Sequence, residues 1–287
     1  MGPQVVWLLN FEADHELAHL GSFTASRELQ RRVLLVRELH SARVMRNGDL
    51  LLDLEAKYDG LLGRAWCPTP SALAVLSRAG LRVDPTPALD VLRETNDRAF
   101  HAKLGQILPG GIFSHDLEQL ASCCAEDGVS GEWVFKRAFG VAGRGQLRVR
   151  AGELGASGRA WLAASLKLGG VQLEPLVALE REFASHGWIG VDGKYEIRRP
   201  CTMECDVYGA WADTRTAEAG VLSAEESSQL LEAADVVARA LLAAKYFGPF
   251  GVDAFRWRDR DGNLQLQARS EINARYTLGW RVSFPEL

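Results

Sequence analysis

The sequence has few cysteines, no long apolar run and no basic leader, and each absence excludes a class of protein. Its five cysteines include no C-x-x-C pair, so neither a disulfide framework nor a structural zinc site is expected. The longest apolar stretch, 236–244, is interrupted by Arg239 and falls well short of the roughly 18 residues that cross a bilayer. Residues 1–4 lack the positive charge of a signal peptide. We therefore expect a cytoplasmic protein with no membrane partner.

Neither positive nor negative charge is in large excess. The 33 lysines and arginines face 37 aspartates and glutamates, which gives a net charge of −4, whereas a dedicated nucleic-acid binder is usually basic. The 287 residues, 47% of them hydrophobic, are enough for two small domains. The composition predicts a globular protein that does not bind nucleic acid, and it leaves room for a local basic cleft that holds phosphates.

The first third of the chain alternates strand and helix patterns, which is typical of a parallel α/β domain. The predicted strands cover 4–9, 50–52 and 58–62, and the predicted helices cover 25–40 and a segment that ends at Gly80. The proline-containing stretch 84–87 marks a boundary, so we expect an N-terminal domain over 1–94. Within it, residues 10–16 follow the first strand, where they can either bind an amine or simply begin a helix.

The remainder, 95–287, has the pattern of antiparallel strands combined with helices, and therefore predicts a second, α+β domain. The predicted strands cover 133–136, 146–149, 171–177, a meander over 180–212, and a hairpin of 250–257 with 264–272; the predicted helices cover 95–106, 158–168 and 225–246. Ser223 is the expected N-cap of the last of these helices, with Glu226 at the capping-box position.

The last hairpin carries the most informative set of side chains. If its turn centres on Gly262, Asp253 lies opposite Glu271, with Cβ atoms about 5 Å apart. Glu271, Asn273 and Arg275 share one face for as long as the strand stays extended. Two facing carboxylates repel each other, and a divalent cation removes the conflict. Asp, Glu and Asn oxygens suit Mg²⁺ or Mn²⁺; the alternative interpretation is an edge hairpin with solvated charges.

A second set of residues is Lys136 and the glycine-rich tip 139–145, which joins two predicted strands. Its glycines, Gly140, Gly143 and Gly145, have the spacing G-x-x-G-x-G. Consecutive backbone N–H groups without Cβ atoms can wrap phosphate oxygens, and Lys136 adds a positive charge. The tip is not a Walker loop, because no Gly-Lys-Ser/Thr occurs, and it is not a Rossmann fingerprint. Taken alone, it can equally be a plain turn.

A third set lies in the apolar strand 172–177 and the charged segment 180–183. An apolar strand with a carboxylate and free backbone groups can hold an adenine and its ribose. The alternative is a strand followed by a solvated loop.

The order and spacing of these sets resemble the ATP-grasp superfamily, in its carboxylate–amine ligase type. The matching text is Trp133-Val134-Phe135-Lys136 with the three glycines, Leu173-Glu174-Pro175-Leu176-Val177 with Arg181-Glu182-Phe183, and Gly251-Val252-Asp253-Ala254-Phe255 with Glu271-Ile272-Asn273-Ala274-Arg275. Upstream, Asn96-Asp97-Arg98 matches the superfamily's Asp-Lys, with arginine in place of lysine. The resemblance covers residues 95–279. Residues 1–94 fit the superfamily's variable N-terminal domain in outline.

The resemblance implies an ATP-grasp fold: a small N-terminal parallel α/β domain, a central lid subdomain over about 110–174, and a C-terminal antiparallel-sheet domain. It implies that ATP is clamped between two α+β units. The implied nucleotide-binding residues are Arg98 and Lys136 for the phosphates, Gly140, Gly143 and Gly145 in the lid, Glu174, Leu176 and Val177 around the adenine, and Glu182 at the ribose.

The resemblance also implies a metal site and a reaction. Asp253, Glu271 and Asn273 hold Mg²⁺ or Mn²⁺, and Arg275 steadies the transferred phosphoryl group. Most members are ADP-forming ligases that activate a carboxylate as an acyl-phosphate and join it to an amine or another nucleophile. The substrates are then small molecules or peptides, and a homodimer is one option. Two alternatives stay open, namely a kinase on the same fold and a nucleotide-binding module without catalysis.

Overall fold

The computed structural model describes residues 3–19, 23–105, 107–140, 145–206 and 211–286. Over these ranges the strands form three sheets, one parallel and two antiparallel. Gly143, which the sequence analysis places in the lid tip, lies outside them. Within the same ranges, no helix is long and apolar enough to cross a membrane.

The N-terminal part is a parallel sheet with the strand order β2-β1-β3-β4. Its elements are β1 (Val5–Leu8), α1 (Ala13–Ala18), α2 (Arg27–Val44), β2 (Leu50–Leu51), β3 (Leu62–Ala65), α3 (Pro70–Arg78) and β4 (Arg82–Val83). All four residues of β1 are buried, which accounts for its uninterrupted apolar sequence. The third strand was predicted over 58–62, whereas β3 begins at Leu62, four residues after the predicted start. Gly60 has a φ of +73°, so the chain turns there, and the buried Tyr58 belongs to a loop.

Two short helices, α4 (Leu89–Asn96) and α5 (Arg98–Lys103), lead into the second sheet. A helix that runs to about 106 from a cap within 95–97 was predicted, and Asp97 is that cap: its side chain accepts a hydrogen bond from the Ala99 N–H at the start of α5. The helix itself is shorter than predicted and ends at Lys103.

The second sheet is antiparallel, with the order β5-β8-β6-β7. Its elements are β5 (Ile112–Ser114), α6 (Leu117–Ala125), β6 (Glu132–Arg137), β7 (Gln146–Arg150), α7 (Ala156–Leu166) and β8 (Val171–Pro175). Trp133, Phe135, Leu162 and Leu173 form its own core, so it packs as a separate subdomain. The strand predicted over 171–177 ends at Pro175, because the chain bends there toward the third sheet.

The third sheet has the order β12-β11-β9-β13-β14, with β10 paired to β9. Its elements are β9 (Ala178–Ile189), β10 (Tyr195–Ile197), β11 (Cys201–Cys205), β12 (Trp211–Thr216), α8 (Ala224–Ala243), β13 (Gly248–Arg258), β14 (Leu264–Asn273) and α9 (Trp280–Ser283). The predicted capping box of Ser223 and Glu226 is present at the start of α8. The buried face of α8 includes Leu230, Val237 and Leu241.

Candidate active site

The β13–β14 hairpin places Asp253 opposite Glu271, and Gly251 opposite Asn273. The predicted pairing of the two carboxylates is therefore confirmed. The predicted turn centre is not, because Arg258 pairs with Leu264 and the loop therefore centres on residue 261. A bulge in β14 around Arg269 compensates for this offset.

The two facing carboxyl groups differ in their electrostatic surroundings. Burial and the neighbouring charge of Glu271 raise the pKa of Asp253 to about 7, against the hydrogen bond from the Asn273 amide, whose Nδ2 donates to Asp253 Oδ2 at 3.1 Å. Burial also raises the pKa of Glu271, but the charges of Arg98, Lys136 and Arg275 more than offset this, so its pKa lies below the usual value. A proton or a cation is therefore favoured between the two groups.

Arg98 links three parts of the site. Its Nη2 donates to Glu271 Oε1 at 2.8 Å, and its Nε donates to the carbonyl oxygen of Arg137 at 3.1 Å. The side chain is buried, and Nη1 has no hydrogen-bond partner among the described residues. A buried N–H group without a partner costs free energy, so Arg98 has one donor left for a ligand.

Lys136 and Glu174 lie on adjacent strands of the second sheet and form an ion pair, with Nζ and Oε2 separated by 2.5 Å. Gln172 donates its amide to the other oxygen of the same carboxylate. Glu174 is almost wholly buried. Lys136, which is predicted to bind the phosphates, is therefore paired with Glu174 in this structure.

The glycines of the tip have different settings. Gly140 lines the cleft described below. Gly145 has a φ of +74°, a backbone conformation that favours glycine.

Leu176 and Val177 form the bend between β8 and β9 and are half-buried. The Leu176 N–H donates to the carbonyl oxygen of Glu132 at 2.9 Å. Glu182 lies farther along β9, opposite Phe255. Burial raises the pKa of Glu182 despite its hydrogen bonding to Cys205.

Arg275 lies beyond the end of β14, so the extended strand that would align it with Glu271 and Asn273 ends before it. Its Nη2 donates to Asp14 Oδ2 at 2.7 Å, and its Nε lies 3.4 Å from Oδ1. Burial lowers the pKa of Arg275, but the charge of Asp14 raises it more. Arg275 is therefore a fixed cation at the junction of the N-terminal domain with the third sheet.

Two other polar residues of segment 10–16 hold the N-terminal domain together. The Asn10 amide donates to the Cys67 carbonyl at 2.8 Å. The Glu16 carboxylate accepts a hydrogen bond from the Ser71 N–H at the start of α3, at 3.1 Å. The segment begins helix α1 and also places Asp14 and His15 in the wall of the cleft described below.

A cleft of about 380 Å³ brings together the three predicted metal ligands, both arginines and one glycine of the tip. The predicted site residues that line it are Arg98, Gly140, Asp253, Glu271, Asn273 and Arg275. It runs along the third sheet under α2, and its far end is lined by Leu29, Val33, Val36, Met203, Trp211 and Leu278. Six predicted residues, all of them described, do not line it: Lys136, Gly145, Glu174, Leu176, Val177 and Glu182.

Three polar residues at this site escaped the sequence analysis. His101 is buried with neither ring nitrogen paired among the described residues, and burial together with the nearby arginines lowers its pKa to about 3. Arg269 is fully buried and donates to the carbonyl oxygen of Gly105. The Gln172 side-chain oxygen is also buried without a described partner. No periodicity or spacing distinguishes these residues from ordinary surface residues.

The donor set of the hairpin fits a divalent cation. Two carboxylates and one amide converge on the buried face, and the electrostatic conflict between the carboxylates is the kind that a cation relieves. Hard oxygen ligands of this type suit Mg²⁺. Among the described residues, no group of three His, Cys, Asp or Glu side chains could hold a metal, so an amide oxygen or water must complete any such site.

Comparison with solved structures identifies the fold. D-alanyl-alanine synthetase A from Vibrio cholerae O1 biovar eltor str. N16961 aligns with a TM-score of 0.56 and 14% identity, covering 99% of this chain and 92% of that chain. D-cycloserine synthetase DcsG aligns with a TM-score of 0.53 and 15% identity, over 97% of this chain and 94% of that chain.

A third similar structure is N5-carboxyaminoimidazole synthetase from Staphylococcus aureus complexed with ADP. Its TM-score is 0.52 and its identity 12%, over 97% of this chain and 72% of that chain. No protein-family model and no curated protein matches the sequence. The structural likeness shows that this chain has the ATP-grasp fold, and the predicted fold class with its three-part layout is confirmed.

Proposed function

We propose that this protein is an ATP- and Mg²⁺-dependent ligase that forms a carbon–nitrogen bond and releases ADP. The observation that carries the proposal is the convergence of Asp253, Glu271 and Asn273 with two fixed arginines, Arg98 and Arg275, in one cleft. Oxygen donors beside buried cations form the arrangement that phosphoryl transfer needs. The fold shared with three synthetases, one complexed with ADP, supports the same reaction class.

The nucleotide would lie between the second and third sheets. Arg98 offers its unpartnered Nη1 to a phosphate oxygen. Lys136 would exchange Glu174 for a phosphate, and the backbone of 174–177 and the Glu182 carboxylate would hold the base and ribose. The tip with Gly140, Gly143 and Gly145 would cover the phosphates.

Asp253, Glu271 and Asn273 would hold Mg²⁺, which neutralises phosphate charge when bound. The chain's own residues orient the reactants. Arg275, fixed by Asp14, holds the phosphoryl group in line with the substrate carboxylate. The carboxylate oxygen bonds to the γ-phosphorus as the bond to ADP breaks; the amine nitrogen then bonds to the acyl carbon, phosphate leaves, and the amine proton passes to solvent.

A substrate screen tests this proposal. Purified protein is incubated with ATP, Mg²⁺ and paired pools of carboxylic acids and amines, and ADP and product masses are measured. The proposal predicts ADP together with a product equal in mass to acid plus amine minus water. A product that gains a phosphoryl group would identify a kinase instead, and AMP formation would contradict an ADP-forming ligase.

A second candidate, a nucleotide-binding module without catalysis, is favoured by one observation. Arg275, the cation assigned to the transferred phosphoryl group, is already held by the buried carboxylate of Asp14, while Arg98 keeps, among the described residues, a free donor for a nucleotide phosphate. This candidate predicts that ATP binds but that no pool yields ADP above the rate of the Glu271→Gln variant.

A further inference from the structure

A second cavity lies on the other side of Arg275 from the cleft. It has a volume of about 410 Å³ and lies between the carboxyl ends of β3 and β4, the β9–β10 turn and the start of β13. The carboxyl edge of a parallel sheet is where α/β domains bind ligands. The volume falls in the range of small-molecule sites, roughly 300–1,000 Å³.

Five aromatic side chains line this cavity, which we name the aromatic pocket: Trp66, Trp188, Tyr246, Phe247 and Tyr276. Three of them, Trp66, Tyr246 and Tyr276, are nearly fully buried by the surrounding protein. They present ring faces and edges, to which a planar apolar molecule binds well.

Two charged side chains at the carboxyl ends of β3 and β4, Arg64 and Asp84, line the pocket, and several other polar groups of the wall and rim are paired. Arg275 is paired with Asp14 at 2.7 Å, and the Tyr246 hydroxyl donates to the carbonyl oxygen of Pro249 at 2.5 Å. At the rim, Asp192 is paired with Lys194 at 3.1 Å. Because most of the lining surface is apolar and a buried ion without a partner is strongly unfavourable, the pocket favours an uncharged occupant.

Trp66 and Arg275 line both the aromatic pocket and the cleft. They form a thin partition, in which the Arg275 guanidinium lies 6.0 Å from the centre of the Trp66 ring. A molecule in the aromatic pocket therefore contacts the same two side chains that the cleft uses.

We propose that the aromatic pocket is a binding site for a small uncharged aromatic molecule, and that its occupancy is coupled to the cleft through Trp66 and Arg275. The binding part goes beyond the proposed ligase function and stands without it. The coupling follows because ligands in the two sites contact the same Trp66 and Arg275 side chains, so that each ligand changes the contacts available to the other.

Fluorine NMR with a ring-fluorinated indole as the probe tests the binding. The indole should bind the wild-type protein at one site, and its carboxylate derivative should bind at least about tenfold more weakly. Val83 lines the pocket, so Val83→Trp fills it and should weaken indole binding at least tenfold. Val236→Trp, on the exposed side of α8, is the matched control and should leave the affinity unchanged.

Equal indole affinity in wild type, Val83→Trp and Val236→Trp would overturn the proposal. Leu73→Phe enters the pocket from α3 and replaces Val83→Trp if that variant fails to fold by circular dichroism.

For the coupling, indole is titrated with and without saturating ATP and Mg²⁺. A change of about fivefold or more is expected; unchanged affinity with ATP demonstrably bound would refute the coupling, whereas a failure of ATP to bind would count against the ligase proposal alone.

Discussion

Asp14 and Arg275 form a two-point ion pair across 261 positions of sequence. Asp14 lies in α1, just after the first strand, and Arg275 lies two residues after the last. Both side chains are mostly buried, at 7% and 12% exposure. The pair therefore joins the N-terminal domain to the third sheet at the point where the cleft needs a fixed cation.

Replacing Asp14 by asparagine should destabilise the protein because it leaves the Arg275 charge buried and unpaired. Removal of one partner of a buried pair costs about 3–5 kcal/mol. Urea unfolding of Asp14→Asn measures this cost. Glu28→Gln, which breaks the exposed pair with Arg32, is the control and should cost less than about 1 kcal/mol. Equal losses in the two variants would show that the Asp14 pair does not stabilise the junction.

Glu271→Gln should leave the fold intact and lower ADP release at least about 100-fold. The substitution removes a charged oxygen from the pair with Asp253 and takes the anionic partner from Arg98. Steady-state ADP release, with circular dichroism as the fold check, measures the effect. Glu126→Gln, at an exposed position, should behave as wild type. Normal turnover in Glu271→Gln would refute the proposed metal site.

Lys136→Met separates a binding role from a structural one. The variant leaves Glu174 buried without its cation, so both stability and ATP affinity should fall. Adding Glu174→Gln removes the unpaired charge and should restore most of the stability. ATP affinity, measured by calorimetry, should stay at least about tenfold below wild type in the double variant. Recovery of affinity together with stability would mean that Lys136 does not contact the nucleotide.

The burial of His186 should make the folded protein less stable at acidic pH. His186 lies in the cleft floor with its Nδ1 2.8 Å from the Ser283 hydroxyl, and burial lowers its pKa to about 4. The unfolded chain takes up this proton near pH 6.5, so stability falls as pH decreases from about 6.5 to about 4. The slope is on the order of 1 kcal/mol per pH unit.

Urea unfolding across this pH range should give a shallower slope for His186→Asn than for wild type. His115→Asn, at an exposed position, should keep the wild-type slope. Parallel slopes in all three proteins would show that His186 is not held neutral by burial.

The parts of the fold that the sequence predicted are those with short-range signals. The shared face of Glu271 and Asn273 follows from strand alternation, whereas the predicted pairing of Asp253 with Glu271 is correct only because the bulge around Arg269 offsets an error in the turn centre. The capping box at Ser223 and Glu226 follows from local hydrogen bonding at a helix start. The order of the ATP-grasp motifs along the chain also predicted the three-part layout. The domain limits at 94/95 and the roles of the individual site residues remain predictions.

The parts that the sequence missed depend on contacts between distant segments. The pairing of Arg275 with Asp14 needs the packing of the N-terminal domain on the third sheet, which no local pattern encodes. Arg269 sits in a bulge, and a bulge changes neither the composition nor the alternation enough to be recognised. His101 has the sequence setting of an exposed helix residue and is buried only because the second and third sheets close over α5.

Thermal unfolding at saturating ATP, with and without Mg²⁺, measures whether the cleft binds ATP together with Mg²⁺. A ligand at about 100 times its Kd adds roughly 2.7 kcal/mol to the free energy of unfolding, which is worth several degrees in Tm for a chain of this size. We predict a rise in Tm of this order, which requires Mg²⁺ and is lost in the Glu271→Gln variant. An unchanged Tm with ATP and Mg²⁺, or a rise that Glu271→Gln retains, would contradict this prediction.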